Sequence, residues 1–394
     1  MEQFTHFSEE VIDFIIKNEH IDPYDLVLGK SPFPDIDIKT LSRQIMGRKI
    51  ARKKFPFLLE KDQYRYHAKE SLEQSSSEAT GIFKSNFLEG ESFVDLTGGM
   101  GIDTYLLGRK FRSCSYVEPN LELSKLAHHN FGILNFDQCE VLNTTCEQFL
   151  ETNKQTFDWA YIDPSRRISG SRRISIHEYE PNVVELQNQL LDTANNVFIK
   201  LSPMQDISEC VKSLDCIHRI WVISVHNEVK ELLLHLNKEP KAEKTISAVN
   251  IKKDKTDNLT VELASSQPSV DLSAVQAYIY QPNASIVKAG IQNQYAQQMD
   301  LKKLHPNTQL YTQNGMIKDF FGKIYKVDHI LGLNKKEIHR ALPERKVNII
   351  SKNFPLSPEE LSKKLKLKSG GERFLIAFTD SENKRVIAIC DRIQ

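Results

Sequence analysis

Five consecutive residues, Thr97-Gly98-Gly99-Met100-Gly101, carry the strongest chemical signal in the chain. A strand-like run, Phe93 to Leu96, leads into them, and a helical pattern follows. Glycine has no side chain and tolerates positive φ, so such a turn lets backbone approach a bound molecule closely. Asp95 stands at the carboxyl end of the strand, the edge where open α/β sheets take their ligands. The next strand-like run, SCSYVE, ends in Glu118, twenty residues beyond Gly98. A carboxylate at roughly that offset bonds the hydroxyls of an adenosine ribose. Strand, glycine turn, helix and spaced acid together read as a nucleoside site. The competing structural explanation is a tight βα turn with a surface glutamate.

The surrounding charges narrow the nucleoside. A dinucleotide site usually wants GxGxxG with a helix N-terminus facing the pyrophosphate, and no GxxxxGK[ST] run occurs. Asp95 lies upstream of the glycines and Asp103 just inside the helix, where negative charge would repel a pyrophosphate and attract a sulfonium or an ammonium. That chemistry favours S-adenosylmethionine. At these residues the chain resembles the class I S-adenosylmethionine-dependent methyltransferases. Asp95-Leu96-Thr97-Gly98-Gly99-Met100-Gly101 looks like their first motif and Glu118, followed by Pro119, like their ribose-binding acid. The resemblance covers roughly residues 70–265. It implies cofactor contacts from Asp95, Thr97, Gly98, Gly99, Met100, Gly101, Glu118 and Pro119. One departure concerns the adenine. Family members often place an acid after the third strand, whereas VLNTTCEQFL offers Asn143, Thr145 or Glu147, and Thr145 is assigned the contact.

Methyl transfer from a sulfonium is an in-line displacement, so the nucleophile must be held close, aligned and shielded from water. In amine-methylating relatives the strand before the reaction centre ends in Asp/Asn-Pro-Pro-aromatic. Here FDWAYIDPSRR gives Asp163-Pro164-Ser165-Arg166-Arg167. Asp163, or the Pro164 carbonyl, would accept the protons of an exocyclic amine. Ser165 and Arg166 replace the second Pro and the stacking aromatic. Arg166 and Arg167, with Arg172 and Arg173, could grip phosphate or carboxylate oxygens in bidentate fashion. Lys200 ends the next strand, where it would touch substrate or neutralise Asp163. Ring-carbon methylation needs a cysteine nucleophile near these strand ends, and residues 161–167 and 199–206 contain none. Gln74 is a minor candidate for covering the cofactor, His177 a minor acid/base candidate, and His128-His129 reads as surface or packing.

The first ninety residues read as helical, with starts at Ser8 and Asp22-Pro23 and a capping box at Ser75 and Glu78. SFVDL, SCSYVE, FDWAYID, NVFIKLS and RIWVISV then alternate with helix-length segments, which indicates a doubly wound parallel sheet. KTISAVNI and NLTVELA suggest an antiparallel hairpin at the sheet edge. A polar stretch at 264–274 reads as a linker. Beyond it, AYIY, KIYKV, KVNIIS, RFLIAFT and RVIAIC mix with two helix-like runs, AGIQNQYAQQMDLKKL and SPEELSKKLKL, as in a small α+β module. The expected architecture is α/β: a helical region over 1–90, a Rossmann-like methyltransferase domain over 91–270 and the α+β module over 275–394. The whole arrangement is similar to bacterial proteins assigned as methyltransferases that carry a THUMP-like (ferredoxin-like) domain after the catalytic one, and THUMP domains imply RNA binding.

Composition sets the outer bounds. The 394 residues hold 52 Lys+Arg against 52 Asp+Glu, which argues against coating nucleic acid by bulk charge but leaves room for a local basic face. Two such clusters stand out, residues 43–54 and 335–368. The six cysteines show no CxxC pair and no zinc-ligand spacing, so no metal is expected and the thiols read as reduced and structural. No stretch reaches the ~18 apolar residues of a membrane span, and MEQFTHFSEE lacks a signal-peptide pattern. The expectation is a cytoplasmic methyltransferase acting on structured RNA such as tRNA or rRNA, with no oligomeric state assigned. The alternatives are a methyltransferase of a small anionic metabolite or a protein, and a non-catalytic RNA-binding protein that retains a nucleoside pocket.

Overall fold

The computed structural model describes residues 6–27, 29–166, 175–239, 243–263, 266 and 268–394. The chain divides into two compact units, residues 1–220 with 232–242 and residues 221–231 with 243–394.

The first unit opens with helices α1 (Glu9–Lys17), α2 (Pro23–Val27), α3 (Ile38–Lys54), α4 (Lys69–Gln74) and α5 (Glu78–Ser85). Val11 and Ile15 of α1 pack on Leu41 and Ile45 of α3, the apolar stripe expected from their spacing. The cap of α5 differs from the expected one. Ser77 and Thr80, not Ser75 and Glu78, form the reciprocal box, because Ser77 is the residue whose backbone is still extended one step before the helix. The basic run on α3 is also spent differently from an open face. Arg48 and Arg52 share Glu19, Lys49 donates to the Ile21 carbonyl and Lys54 to those of Leu72 and Glu73.

Strand and helix then alternate: β1 (Ser92–Asp95), α6 (Ile102–Gly108), β2 (Ser113–Val117), α7 (Leu121–Ile133), β3 (Cys139–Leu142), α8 (Cys146–Thr152) and β4 (Phe157–Ile162). The short pair β5 (Ser165–Arg166) and β6 (Tyr179–Glu180) comes next. It is followed by α9 (Val183–Thr193), β7 (Ala194–Leu201), α10 (Ile207–Ser213), β8 (Ile217–Val225) and β9 (Glu228–Asn237). Within a nine-stranded sheet these strands follow the order β8-β9-β7-β4-β1-β2-β3. β3, β2, β1, β4 and β7 run parallel, while β9 pairs antiparallel with β7. β9 was not expected from the sequence, because Glu228, Lys230 and Glu231 mask a run in which residues 231–236 are buried. The chain moves outward from β1 through β2 and β3, then returns to β4 on the other side. That reversal makes the β1/β4 boundary the switch point at which such sheets open a crevice.

The second unit takes residues 221–231, the end of β8 and the start of β9 with the turn between them, together with the remaining elements. β10 (Thr245–Ile251) and β11 (Thr256–Glu262) form the expected antiparallel hairpin. A seven-stranded sheet follows, assembled from β12 (Tyr278–Pro282), β13 (Lys302–Lys303), β14 (Tyr311–Gln313), β15 (Gly322–Leu331), β16 (Asn348–Lys352), β17 (Arg373–Thr379) and β18 (Arg385–Arg392), in the order β13-β14-β12-β15-β18-β17-β16. Its helices are α11 (Ala284–Ala289), α12 (Gln292–Gln298), α13 (Lys335–Ala341) and α14 (Pro358–Leu365). Alternation along β17 serves two cores: Leu375 and Ala377 face a cluster with Ile338 and Leu361, while Ile376 and Phe378 face another with Ile279 and Tyr325. The single long helix expected over 289–304 is broken. Gly290 and Asp300 both adopt positive φ, so only Gln292–Gln298 stays helical and Lys302–Lys303 enters the sheet. The linker expected at 264–274 lies partly outside the described residues.

Within the first unit, one side chain ties the helical region to the sheet's own helices. Asn130 of α7 is buried, and its amide spans the backbone of Arg65, accepting from Arg65 N at 2.9 Å and donating to Arg65 O at 3.0 Å. Asn130→Ala strands both groups away from water, at about 2–3 kcal/mol. A urea unfolding curve is expected to move to a lower midpoint with an unchanged slope, the shift multiplied by the slope giving that loss.

Candidate active site

The glycine turn is built by its neighbours. Asp95 is buried at the end of β1, and its carboxylate accepts from Thr97 N at 3.0 Å and Thr104 Oγ1 at 2.6 Å. Gly98 admits no larger residue, since a Cβ there would stand 2.2 Å from the Tyr116 ring. Gly101, at φ +76°, starts α6 in the left-handed region, and a Cβ would strike Phe131. Glu118 closes the turn from β2, its carboxylate accepting from Gly99 N at 3.0 Å and Asn120 N at 2.9 Å.

A cavity of about 580 Å³ opens at this carboxyl edge, within the range typical of small-molecule sites. Asp95, Thr97, Gly98, Gly99, Met100, Glu118, Pro119, Thr145, Asp163 and Ser165 line it. So do Gln74 of α4 and Glu180 of β6. Of the expected site residues, Gly101, Pro164 and Lys200 do not reach the wall. Gly101 shapes the turn from behind, and Pro164 is buried. Thr145 faces the cavity while its hydroxyl caps α8 by accepting from Gln148 N. Asn143 instead braces the β2 end, donating to the carbonyls of Glu118 and Pro119. The Arg166 backbone pairs with Tyr179. Its side chain lies outside the described residues, as do Arg167, Arg172 and Arg173. His177 approaches Ser213, and His129 the Gln63 carbonyl, neither of them on the cavity wall.

Beneath the floor lies a charge network of which the sequence suggested only the pairing of Lys200 with Asp163. Lys84 of α5 is fully buried, and its ammonium donates to Asp103 at 2.8 Å, Ser76 at 2.8 Å and the Tyr161 hydroxyl at 3.3 Å. Lys200 lies 3.5 Å from the other oxygen of Asp103 and pairs tightly with Asp163. Thr97 completes the link, its hydroxyl accepting from Asp163 N at 2.6 Å. Lys200 thus forms an ion pair with Asp163, the carboxylate beside which the sequence put it. Asp103 needs a correction as well. It does not present bare negative charge at the helix start, because Lys84 and Lys200 compensate it. The signal for Lys84 was present but faint: Thr80, Gly81, Lys84 and Ser85 form a narrow buried face of small residues with one lysine on it.

These surroundings shift the acids in different directions. Burial pushes Asp95 up to about 7 against its two hydrogen bonds. Burial would also raise Asp103, but Lys84 and Lys200 outweigh it and hold that carboxyl far below its ordinary value. Asp163 is raised by burial and by Asp103, against the pull of Lys200. Among the described residues, the cavity wall carries Glu118, Glu147 and Glu180 besides these aspartates, and no lysine or arginine. No cluster with metal-ligand character occurs among the described residues. None of their helices is long and apolar enough to cross a membrane.

Comparison with known proteins agrees with this architecture. Residues 322–392 match the family described as THUMP domain-like, and residues 278–320 a ferredoxin-like domain family. The chain superposes on the crystal structure of a "putative methyltransferase" from Porphyromonas gingivalis W83 with a TM-score of 0.86 and 29% identity, over 99% of this chain and 100% of that one. Lesser overlaps include an rRNA methylase from Streptococcus thermophilus (16% identity, 41% of this chain and 94% of that one, TM-score 0.31). Another is a "putative methyltransferase" from Streptococcus mutans in complex with SAH (14% identity, 40% of this chain and 96% of that one, TM-score 0.32). No curated protein matches. The chain thus has the class I methyltransferase fold: a doubly wound sheet with a helical N-terminal region and an α+β C-terminal module. That module joins a ferredoxin-like part over 278–320 to a THUMP-like domain over 322–392, and the superposition with the Porphyromonas protein covers both.

The Asp95 shift has a consequence for stability. Its folded pKa of about 7 exceeds the ~3.9 of an unfolded aspartate, so between those values the native state keeps a proton that the unfolded chain has lost. This contribution therefore makes stability fall as pH rises through that window. Asp95→Asn cannot ionise and keeps an acceptor for Thr97. Urea unfolding at a series of pH values is expected to show a flatter profile between about 4 and 7 for the variant than for the parent.

Proposed function

We propose that the protein is an S-adenosylmethionine-dependent methyltransferase acting on structured RNA. The observation that carries this reading is the cavity itself, which brings the glycine turn, Glu118 and Asp163 to one acidic wall with no cationic side chain among its described residues. A pyrophosphate would meet repulsion there, whereas a sulfonium and an amino-acid ammonium would meet favourable charge. The residues fit such a cofactor. Gly98 and Gly99 keep the turn low, and Glu118 retains acceptor capacity for ribose hydroxyls beyond its bonds to Gly99 and Asn120. Thr145 and Pro119 line the same wall, on the side assigned to adenine.

When bound, the cofactor supplies an electrophilic methyl carbon. The chain's own part is to position the nucleophile. Thr97 fixes the backbone of Asp163 and Lys200 fixes its carboxylate, so the remaining lone pairs point in a set direction. An exocyclic amine that donates to this carboxylate is held with its lone pair free, and the carboxylate takes up the proton released as the new N–C bond forms. The raised pKa of Asp163 suits it to that exchange.

The RNA part of the proposal draws on the THUMP-like domain and on charge in the second unit. Arg340, Arg345, Lys346, Lys352, Lys363, Lys364, Lys366 and Lys368 are exposed, and no ion pair involves them among the described residues. Phosphate contacts by such a face would set position, leaving base choice to the cavity.

Calorimetry with S-adenosylmethionine, followed by transfer of a radiolabelled methyl group to total RNA from a deletion strain, tests the reading. Label is expected in RNA. Label in small molecules or protein supports the alternative substrates, and cofactor binding without transfer supports a non-catalytic RNA-binding role. Glu118→Ala is expected to weaken cofactor binding by about 1–3 kcal/mol, the scale of hydrogen bonds to a charged group. Asp163→Ala is expected to bind nearly as the parent does and to lose turnover by about a hundredfold or more. Equal loss of binding and turnover in that variant contradicts its role.

A further inference from the structure

The second unit contains its own cavity, of about 350 Å³, lined by His226, Asn227, Asn250, Lys252, Asp257, Asn283, Gly322, Lys323, Arg392 and Gln394. Its three asparagines are oriented by backbone N–H groups, which only an amide oxygen can answer. Asn250 Oδ1 accepts from Asn227 N at 2.8 Å, Asn283 Oδ1 from Ser285 N at 2.9 Å and Asn227 Oδ1 from Ala284 N at 2.9 Å. The Ser224 hydroxyl lies 3.0 Å from the oxygens of both Asn250 and Asn283, with its single proton also within reach of the Val249 carbonyl at 2.8 Å. With every oxygen turned into the protein, the NH₂ groups are what these side chains have left to offer the cavity. None of the three has a hydrogen-bond partner among the described residues, although Asn250 and Asn283 are only 2% and 3% exposed. These nitrogens open on the cavity, so the acceptors left to them are those of whatever fills it.

The charges point the same way. Asp257 is the one acidic residue on the wall and is already held by Lys252 at 2.6 Å and Lys255 at 3.5 Å. Lys323 is half-buried and forms no ion pair or hydrogen bond among the described residues. Arg392 commits only its Nε, to the Gln394 carbonyl at 3.0 Å, and keeps its two terminal nitrogens. Burial, with Arg392 and Lys352 added, pushes Lys323 below the usual lysine range, as expected for cations crowded without a counter-ion.

We propose that this cavity binds a phosphate group, cradled by the amides of Asn227, Asn250 and Asn283 and neutralised by Lys323 and Arg392. A tetrahedral oxyanion accepts hydrogen bonds from several directions at once, which matches donors arriving from β10, the β8–β9 turn, the start of α11 and the strands β15 and β18. The proposal does not rest on the methyltransferase reading. The phosphate has two possible sources, the free ion and a nucleic-acid strand.

The test uses the full chain, titrated calorimetrically with inorganic phosphate and with one short RNA sequence carrying either a 5′-phosphate or a 5′-hydroxyl. Lys323→Gln and Arg392→Gln are the variants, since the Lys323 ammonium makes no hydrogen bond or ion pair with another described residue. Each is expected to weaken binding by about tenfold, the loss of one charge-assisted contact. Saturable binding of inorganic phosphate that both variants weaken establishes a site for the free ion. Binding of the RNAs alone, weakened by both variants, establishes the strand as the source, and preference for the 5′-phosphate makes it a terminal group. Absence of binding in all three titrations, or binding that neither variant alters, overturns the proposal.

Discussion

A buried ammonium can be kept only by giving every proton an acceptor and its charge a partner. Lys84 meets both conditions, and the floor of the cavity depends on how it does so. Its partners are Asp103 from α6, Ser76 from the segment before α5 and Tyr161 from β4, and Lys200 of β7 extends the set to Asp163. One charged chain therefore joins the helical region to α6 and to the carboxyl ends of β4 and β7. Such a network contributes little net stability compared with an apolar core, but removing one member leaves the others as uncompensated buried charges. What it supplies is geometry: the carboxylate of Asp163 has one place to be.

The same constraint explains why the acids of one cavity behave so differently. Asp95, without a cationic partner, is raised by burial and serves the turn through hydrogen bonds from Thr97 and Thr104. Asp103, with two lysines, stays ionised and serves as the counter-ion. Asp163 lies between these cases, half-exposed and tied to one lysine. Three aspartates from neighbouring elements thus take up three states, set by the number of ammonium groups each can reach. The second unit shows the opposite chemistry. Its cavity is walled by amide donors and unmatched cations, so an acidic wall and a donor-rich one occur in separate parts of the same chain.

Much of this was legible from the residues in order. The βα alternation, the glycine turn, Glu118 at the end of β2 and Asp163 at the end of β4 are all local patterns, fixed by a period of two, a helical spacing and a strand's last residue. The sequence also determined the C-terminal strands, whose apolar residues alternate or run continuously enough to exclude helix. Its failures were local too. Positive φ at Gly290 and Asp300 broke a run that composition alone favoured as helix, and β9 hid its apolar residues behind a charged start.

Tertiary structure alone decided which charges meet. Lys84 and Lys200 are 116 residues apart in the chain, and nothing in either neighbourhood signals that both would reach Asp103. Spacing records which face of an element a residue occupies, but an ion pair forms only when two faces from distant elements are brought within about 4 Å. The same holds for Asn227, Asn250 and Asn283, three unremarkable loop and strand residues until the fold turns their oxygens inward and their NH₂ groups toward one space. The sequence by itself settled the sheet, the turn and the acids at its edge. Their protonation and their partners depended on packing, because the energy of a charge is set by everything around it and not by its place in the chain.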